Sequence, residues 1–444
     1  MPSWDQRSRR HHLLEGGWDS FPMDGPAANV RFASPDVLKG IIIVLVVLVH
    51  IVLLANTGSE EGRTKPLVMQ ILYLGLMAFF LMSGYFYRPG RSITENIKKR
   101  VFQLLVALIV CSVALPVIAY CWLALMGQAS DISDIFDAFI ESMYLNDLFV
   151  KAGLDPTHAA CCTSIGYYYP WTMMGGFLIF YTIANYVMED YRKIAVAIAA
   201  LLGVTALIMI FWDVKMPFQV HLAPIAACFM LIGATLAKVN LLDKVESLEW
   251  RSGRYWLPLA VCLVVGVGLS FLSPPGVKFD YLEFGDHGVW SLFPYVVEAV
   301  CMFVVYLYLA KLLSMVPVLS KLITIAGQHS LGILLLHGFI ATMILAPFFI
   351  IPTTTWFPTD MTMVQRVIVA FATLILCIVI SRYGPKALSR IRGKEAESRV
   401  RHRFKVLTGP LPRKDCEYIR GNRIGIGDCG VYAMSLHPLH ESNE

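Results

Sequence analysis

A single histidine, His50, lies within an apolar stretch of the sequence, where an ionisable side chain is unexpected. The run begins at Ile41, just after the charged segment DVLKG, and continues past His50 to Ala55. If Ile41 marks the membrane edge, a helical rise of about 1.5 Å per residue puts His50 about 14 Å deep. That depth is near the middle of a hydrocarbon core about 30 Å thick, where ionisable groups usually face a bundle interior or a cavity. A neutral imidazole there can act as a base or a nucleophile, or it can simply bond a neighbouring helix.

The composition excludes an ordinary soluble protein. The 444 residues are 57% hydrophobic and 16% charged, with a mean hydropathy of +0.61, whereas soluble domains carry about a quarter charged residues. The cysteines show no CxxC or Cys/His spacing typical of zinc, so we expect no metal. The first thirty residues lack the apolar core of a signal peptide. We therefore expect a polytopic membrane protein surrounded by lipids, with no nucleic-acid partner.

Apolar stretches long enough to span a membrane recur along the chain, and they predict about ten transmembrane helices. The stretches are 37–56, 67–87, 101–125, 168–188, 194–212, 218–238, 255–273, 292–313, 330–350 and 364–384.

The charges between these stretches predict their orientation. The charged residues of the connection 88–100 are mainly lysine and arginine, whereas those of the connection 126–166 are mainly aspartate and glutamate. By the positive-inside rule the first is cytosolic and the second external. Alternation then places both termini in the cytosol. The predicted fold is therefore all-α, a polytopic membrane helix bundle of about ten transmembrane helices with both termini cytosolic.

The same pattern divides the chain into three parts. We predict a cytosolic N-terminal segment over 1–34, a transmembrane domain over 35–385 and a basic cytosolic tail over 386–444. Within the external connection, apolar residues recur at helical spacing over 131–148 beneath an acidic face, which is typical of an amphipathic helix on a membrane surface.

Five short motifs occur in a fixed order within the predicted transmembrane domain. They are the DVLKG segment ending in His50, FFLMSGYFY at 79–87, ITENIKKRVFQLL at 93–105, YPWTMMGGFLIFY at 169–181 and IAGQHSLGILLLH at 325–337. In this order they resemble the membrane acyltransferase-3 superfamily, in its single-module form. The chain departs from the family pattern at three positions, with Lys39 and Gln103 in place of arginine and His329 in place of asparagine.

The resemblance implies an O-acyltransferase that moves an acyl group, usually acetyl, from a coenzyme A thioester to a hydroxyl of a sugar or cell-envelope glycan. The site of action would be the plasma, or inner, membrane. A sugar hydroxyl is a poor nucleophile at neutral pH, so a positioned base is needed. We predict that His50 is that base, or that it carries the acyl group itself. Glu298, a carboxylate well inside the eighth predicted span, is the candidate catalytic partner that orients His50, and a purely structural hydrogen bond is the alternative.

The expected co-substrate is acetyl-CoA, whose phosphates need a cationic site. Lys98, Lys99 and Arg100 lie at the predicted cytosolic edge of the third span, where they could hold phosphates by charge and by bidentate hydrogen bonds. The positive-inside rule alone also explains Lys98 and Lys99. Arg100 is the strongest of the three candidates because it opens the span itself.

Three further residues are candidates for substrate binding. Trp171 could stack on a sugar ring, although aromatic residues also gather at membrane interfaces. His337 could line the same cavity as His50 or bond a neighbouring helix. Asp36 could contact the substrate, but an ion pair with Lys39 that fixes the first span is the alternative that we favour.

A proton-coupled secondary transporter is the rival function. Buried histidine and glutamate side chains could relay protons across a ten-helix bundle. Transporters commonly show repeated halves and interrupted helix pairs, and neither pattern is evident in the sequence. Consumption of acetyl-CoA would distinguish the two.

Overall fold

The protein is described here from a computed structural model. The described residues are 34–53, 64–87, 92–125, 167–212, 216–272, 287–345 and 362–384, with Ser133, Phe136, Ile140 and Leu282. The predicted N-terminal segment, surface helix and basic tail therefore lie outside the described residues, apart from isolated positions.

Within the described residues all regular structure is helical, and no β-strand occurs there. The helices are α1 Ser34–Leu48, α2 Thr64–Tyr85, α3 Ile93–Leu125, α4 Tyr168–Val187, α5 Tyr191–Phe211, α6 Ala223–Lys238, α7 Leu241–Ser247, α8 Gly253–Leu272, α9 Leu292–Ser314, α10 Pro317–Gln328, α11 Ser330–Phe339 and α12 Met363–Gly384. Two of them continue as π-helical turns, α1 through Val49–Leu53 and α11 through Ile340–Leu345.

The predicted helical membrane bundle is confirmed, whereas the number of spans and the side of the termini stay predictions. Among the described helices, six are long and apolar enough to cross a membrane. The bent pair of α10 and α11 brings the number to as many as seven. The sequence did not reveal this pair, in which α10 meets α11 at 77°. The predicted span 330–350 covers α11, whereas α10 lies in the connection between that span and the one before it.

The centre of the bundle is built where helix backbones touch. A β-carbon at Gly40 in α1 would overlap the carbonyl oxygen of Ile323 in α10, and one at Gly327 would overlap that of Asp36. Gly84 in α2 meets the backbone of α6 in the same way. Small residues allow such close approach between membrane helices. The motif glycines therefore fix α1 against α10 and α2 against α6.

The outer helices show the opposite pattern. Val196 and Phe211 on α5 are 69% and 77% exposed, and Val264 on α8 is 70% exposed. Apolar side chains that face outward along a whole helix suit a lipid environment. The helical backbone suits it as well, because its hydrogen bonds are all made within the helix. The bundle thus has inner helices that hold polar groups and outer helices that face lipid.

Two lysines join helix ends on the side of the bundle predicted to face the cytosol. Lys311, at the end of α9, is 5% exposed and donates to the backbone carbonyls of Val245, Glu246 and Leu248, at the end of α7. Lys238 donates likewise to Met188 and Glu189, just after α4. Carbonyls at a helix end have no partner within the helix, so both ammonium groups hold a neighbouring helix end in place.

Candidate functional site

His50 lies where α1 changes from α-helical to π-helical geometry, and its side chain is 7% exposed. Its Nδ1 atom is 2.8 Å from the carbonyl oxygen of Val46. A carbonyl oxygen can only accept a hydrogen bond, so Nδ1 must carry the hydrogen. In the neutral ring Nε2 then holds a lone pair, which is the form that a general base or a nucleophile requires.

His337 repeats this arrangement on α11. Its side chain is fully buried, and its Nδ1 lies 2.8 Å from the carbonyl oxygen of Leu334 and 3.1 Å from that of Ile333. Its Nε2 atom has no hydrogen-bond partner among the described residues. The neutral ring is therefore also an Nδ1–H tautomer, with the lone pair on Nε2 left unbonded.

The structure brings these two histidines together, although 287 positions separate them in the sequence. The centres of the two rings are 5.0 Å apart, and the ring planes are inclined by 60°. Each ring lies at or near a transition into π-helix, at Val49–Leu53 for His50 and at Ile340–Leu345 for His337. Single π-turns within membrane or soluble helices frequently occur at functional sites. The pair is thus the polar centre on which α1 and α11 converge.

Glu298 is fully buried on α9, and it accepts a hydrogen bond from Ser270 on α8. This contact links two helices and matches the structural alternative for Glu298. The Nδ1 atoms of both imidazoles are held by carbonyl oxygens of their own helices, contacts that we did not predict. The role of Glu298 as the partner of His50 stays a prediction.

The ion pair predicted between Asp36 and Lys39 is confirmed, with 3.5 Å between the ammonium nitrogen and a carboxylate oxygen. The Lys39 ammonium also lies 5.9 Å from the ring centre of Phe86, beyond the end of α2. Since the backbone of Asp36 lies against Gly327, the pair is part of the junction between α1 and α10. Substrate binding by Asp36 stays a prediction.

The basic start of α3 forms a second polar region. Lys98, Lys99 and Arg100 are all exposed, and the first two line an open cleft of about 560 Å³ together with Glu95 and Asn96. Neither histidine lines this cleft. Its two lysines could attract a polyanionic ligand by charge, although Glu95 also lies in the lining.

Arg100 differs from the two lysines because the structure gives it a partner. Its guanidinium lies close enough to the hydroxyl of Tyr181 on α4 to interact with it. Tyr181 stacks on Phe177, with 5.4 Å between the ring centres. The aromatic residues of α4 therefore hold Arg100 at the helix surface. Sequence reasoning missed this link, because nothing in the spacing of the two residues pairs α3 with α4.

Trp171 begins α4 and is 9% exposed, with its ring centre 4.8 Å from that of Phe218. Phe218 belongs to the 3₁₀ segment Pro217–Leu222 and has a φ of 56°, in the left-handed region. That conformation is strained for a bulky residue. The indole is buried, with Phe218 among the residues against it, so stacking on a sugar would require these surroundings to move. The role of Trp171 in substrate binding stays a prediction.

Comparison with known proteins identifies the family. The acyltransferase-3 family model, described as an acyltransferase domain, matches residues 32–382, which is most of the chain. No match was found among curated proteins or among solved structures. Family membership does not favour the secondary transporter considered from the sequence. The chain belongs to the acyltransferase-3 family, and it is therefore a multi-pass membrane acyltransferase.

Proposed function

We propose that the protein transfers an acetyl group from acetyl-CoA to a hydroxyl of a sugar on a cell-envelope glycan, at the plasma or inner membrane. The observation that supports this most directly is the state of His50. Its Nδ1 hydrogen is committed to Val46, which leaves Nε2 to receive a proton. A buried base of this kind is what activation of an alcohol requires.

In the direct reaction, the acceptor hydroxyl gives its proton to Nε2 of His50 while its oxygen attacks the thioester carbonyl carbon. The carbon–sulfur bond then breaks, and the thiolate leaves with the electron pair and takes the proton back from Nε2. The products are an ester and free coenzyme A. In the stepwise alternative, Nε2 attacks the thioester first and the acyl-imidazole then reacts with the hydroxyl. Both routes need the same lone pair.

The donor would bind by its phosphates at the start of α3. Exposed Lys98 and Lys99 supply charge along the cleft, and Arg100, oriented by Tyr181, can make a bidentate contact with a phosphate group. The thin pantetheine arm would carry the thioester into the bundle toward His50. Charge thus captures the donor at the surface, and the buried imidazole acts on its far end.

The test uses purified protein in lipid nanodiscs with acetyl-CoA and extracted envelope glycan. We expect release of free thiol that depends on the glycan and incorporation of labelled acetyl groups into it. Longer acyl-CoA thioesters are the comparison for donor selectivity. Absence of thiol release, with envelope glycans of unchanged mass in cells lacking the gene, would rule out this donor and acceptor. The membrane acyltransferase assignment would then stand with other substrates.

A further inference from the structure

The function proposed above uses one imidazole, yet the structure holds two in contact. His50 and His337 both direct Nδ1–H to a carbonyl of their own helix, and their ring centres are 5.0 Å apart. Each neutral ring therefore keeps its lone pair on Nε2. Two lone pairs cannot bond one another without a hydrogen between them. A buried acceptor that lacks a donor is destabilising, so the unbonded Nε2 of His337 needs an explanation.

The surroundings of the pair make a shared proton the simplest explanation. The helices that pack against α1 and α11 are α2, α3, α9, α10 and α12, the last through Ser381 against Gly332. Their charged side chains lie mostly toward helix ends: the Asp36–Lys39 pair, Glu95 with the cations at 98–100, Lys311, exposed Lys321, and buried Arg366 and exposed Arg382 near the two ends of α12. His329 lies at the bend between α10 and α11. Glu298 is the buried carboxylate of α9, and it accepts a hydrogen bond from Ser270.

We propose that His337 is a positioning residue that accepts a hydrogen bond from protonated His50. When Nε2 of His50 takes the proton of the acceptor hydroxyl, the new Nε2–H group becomes the donor that His337 lacks. The proton is shared between the two Nε2 atoms while the oxygen–carbon bond forms. It returns from His50 to the departing thiolate as the carbon–sulfur bond breaks. The pair ends as it began, with two neutral rings.

This role explains why the two rings lie on two helices that are both held by α10. α1 is fixed against α10 by Gly40 and Gly327, and α11 continues from α10 through a sharp bend. The junction therefore sets the spacing of the two rings. Positive charge formed on His50 would otherwise be stranded in a low-dielectric interior, where it is costly. A neutral imidazole acceptor spreads that charge without adding a second one.

The kinetic test rests on the proposed function and compares three variants on acetyl transfer. His337→Phe keeps a ring of similar size but has no acceptor, so kcat should fall by about tenfold to a hundredfold, by analogy with the loss of hydrogen-bond partners of metal-bound histidines. The KM for acetyl-CoA should stay unchanged. His337→Gln places an amide oxygen near the position of Nε2 and should restore most of the lost kcat. Leu335→Ala, a cavity variant on the same helix, should keep its kcat per folded molecule.

A second measurement does not depend on activity. The protein is labelled with ¹⁵N-histidine in nanodiscs, and signals are assigned through His50→Phe and His337→Phe. We expect both Nε2 atoms to be unprotonated near neutral pH. Uptake of the first proton on acidification should move the Nε2 signals of both rings together, because each protonation step of coupled sites belongs to the pair.

The two measurements separate the two proposals. A wild type that releases no thiol from acetyl-CoA contradicts the donor assignment, and the NMR titration then decides the histidine pair alone. Unchanged kcat in His337→Phe, or a His337→Gln variant no better than His337→Phe, would overturn the positioning role. So would a hydrogen on Nε2 of His337 at neutral pH, or separate titration of the two rings.

Discussion

The interior histidine pair and the basic start of α3 are both polar, but the first is buried and held in place whereas the second is exposed. His50 and His337 are almost inaccessible, and each is held by a carbonyl of its own helix. Lys98 and Lys99 are exposed along an open cleft. A fixed group in a dry interior can lower a reaction barrier, because its geometry is set before the reaction begins. Mobile surface cations attract a charged ligand but impose little geometry. Changes at the first region should therefore alter kcat, and changes at the second should alter KM.

Removal of the His50 imidazole is the strongest test of the interior region. His50→Ala should lower kcat for acetyl transfer by about 10³-fold, within the range for a general base, with the KM for acetyl-CoA little changed. Thiol release by the purified variant is the measurement. His287→Ala, at an exposed position before α9, is the matched control and should retain activity. Activity of His50→Ala within a few-fold of wild type would exclude His50 as the base or acyl carrier.

Lys311 sharpens the comparison, because it is a cation that holds the fold together. Lys311→Met removes the donor to three carbonyl oxygens near the end of α7, of which the contact with Val245 is buried, and a buried acceptor left unbonded costs about 1–3 kcal/mol. We expect a Tm several degrees lower, with an unchanged KM for acetyl-CoA in the folded fraction. Lys321→Met, at an exposed site on α10, should keep the wild-type Tm. Equal Tm values for the two variants would show that Lys311 is not structural.

Arg100 lies between these extremes, since it is exposed yet has a partner in Tyr181. Arg100→Ala should raise the KM for acetyl-CoA about tenfold, as the loss of one charge-assisted contact worth about 1.5 kcal/mol would do. Arg100→Lys should recover part of the loss, because a lysine cannot make the bidentate contact. Tyr181→Phe, which keeps the ring but loses the hydroxyl, should show a smaller increase. An unchanged KM in Arg100→Ala would remove Arg100 from the donor site.

The sequence predicted the helical bundle and the importance of His50 because both depend on local patterns. A long apolar run specifies a membrane helix by itself, and one histidine within it stands out. A shared cavity for His50 and His337 was one of two alternatives from the sequence, but the contact itself could not be predicted, because it depends on how α1 meets the bent pair of α10 and α11. The same limit applies to Lys311. Its partners are backbone carbonyls at the end of α7. Every residue has a backbone carbonyl, so the sequence does not show which of them need a donor.

The smallest expected effect concerns Lys98 and Lys99, and it tests whether their charge alone matters. Each Lys→Ala change should raise the KM for acetyl-CoA about twofold to threefold at low salt, because an exposed cation contributes no more than about 1 kcal/mol. At about 1 M salt the Debye length is about 3 Å, so the difference from wild type should vanish. The effect of Arg100→Ala should persist there, since a hydrogen-bonded contact does not depend on long-range charge alone.

Lys193→Ala, at an exposed site on the predicted cytosolic side, is the control and should change KM at neither salt concentration. A loss that is the same at both salt concentrations would mean that Lys98 and Lys99 bind the donor through fixed hydrogen bonds, as Arg100 does.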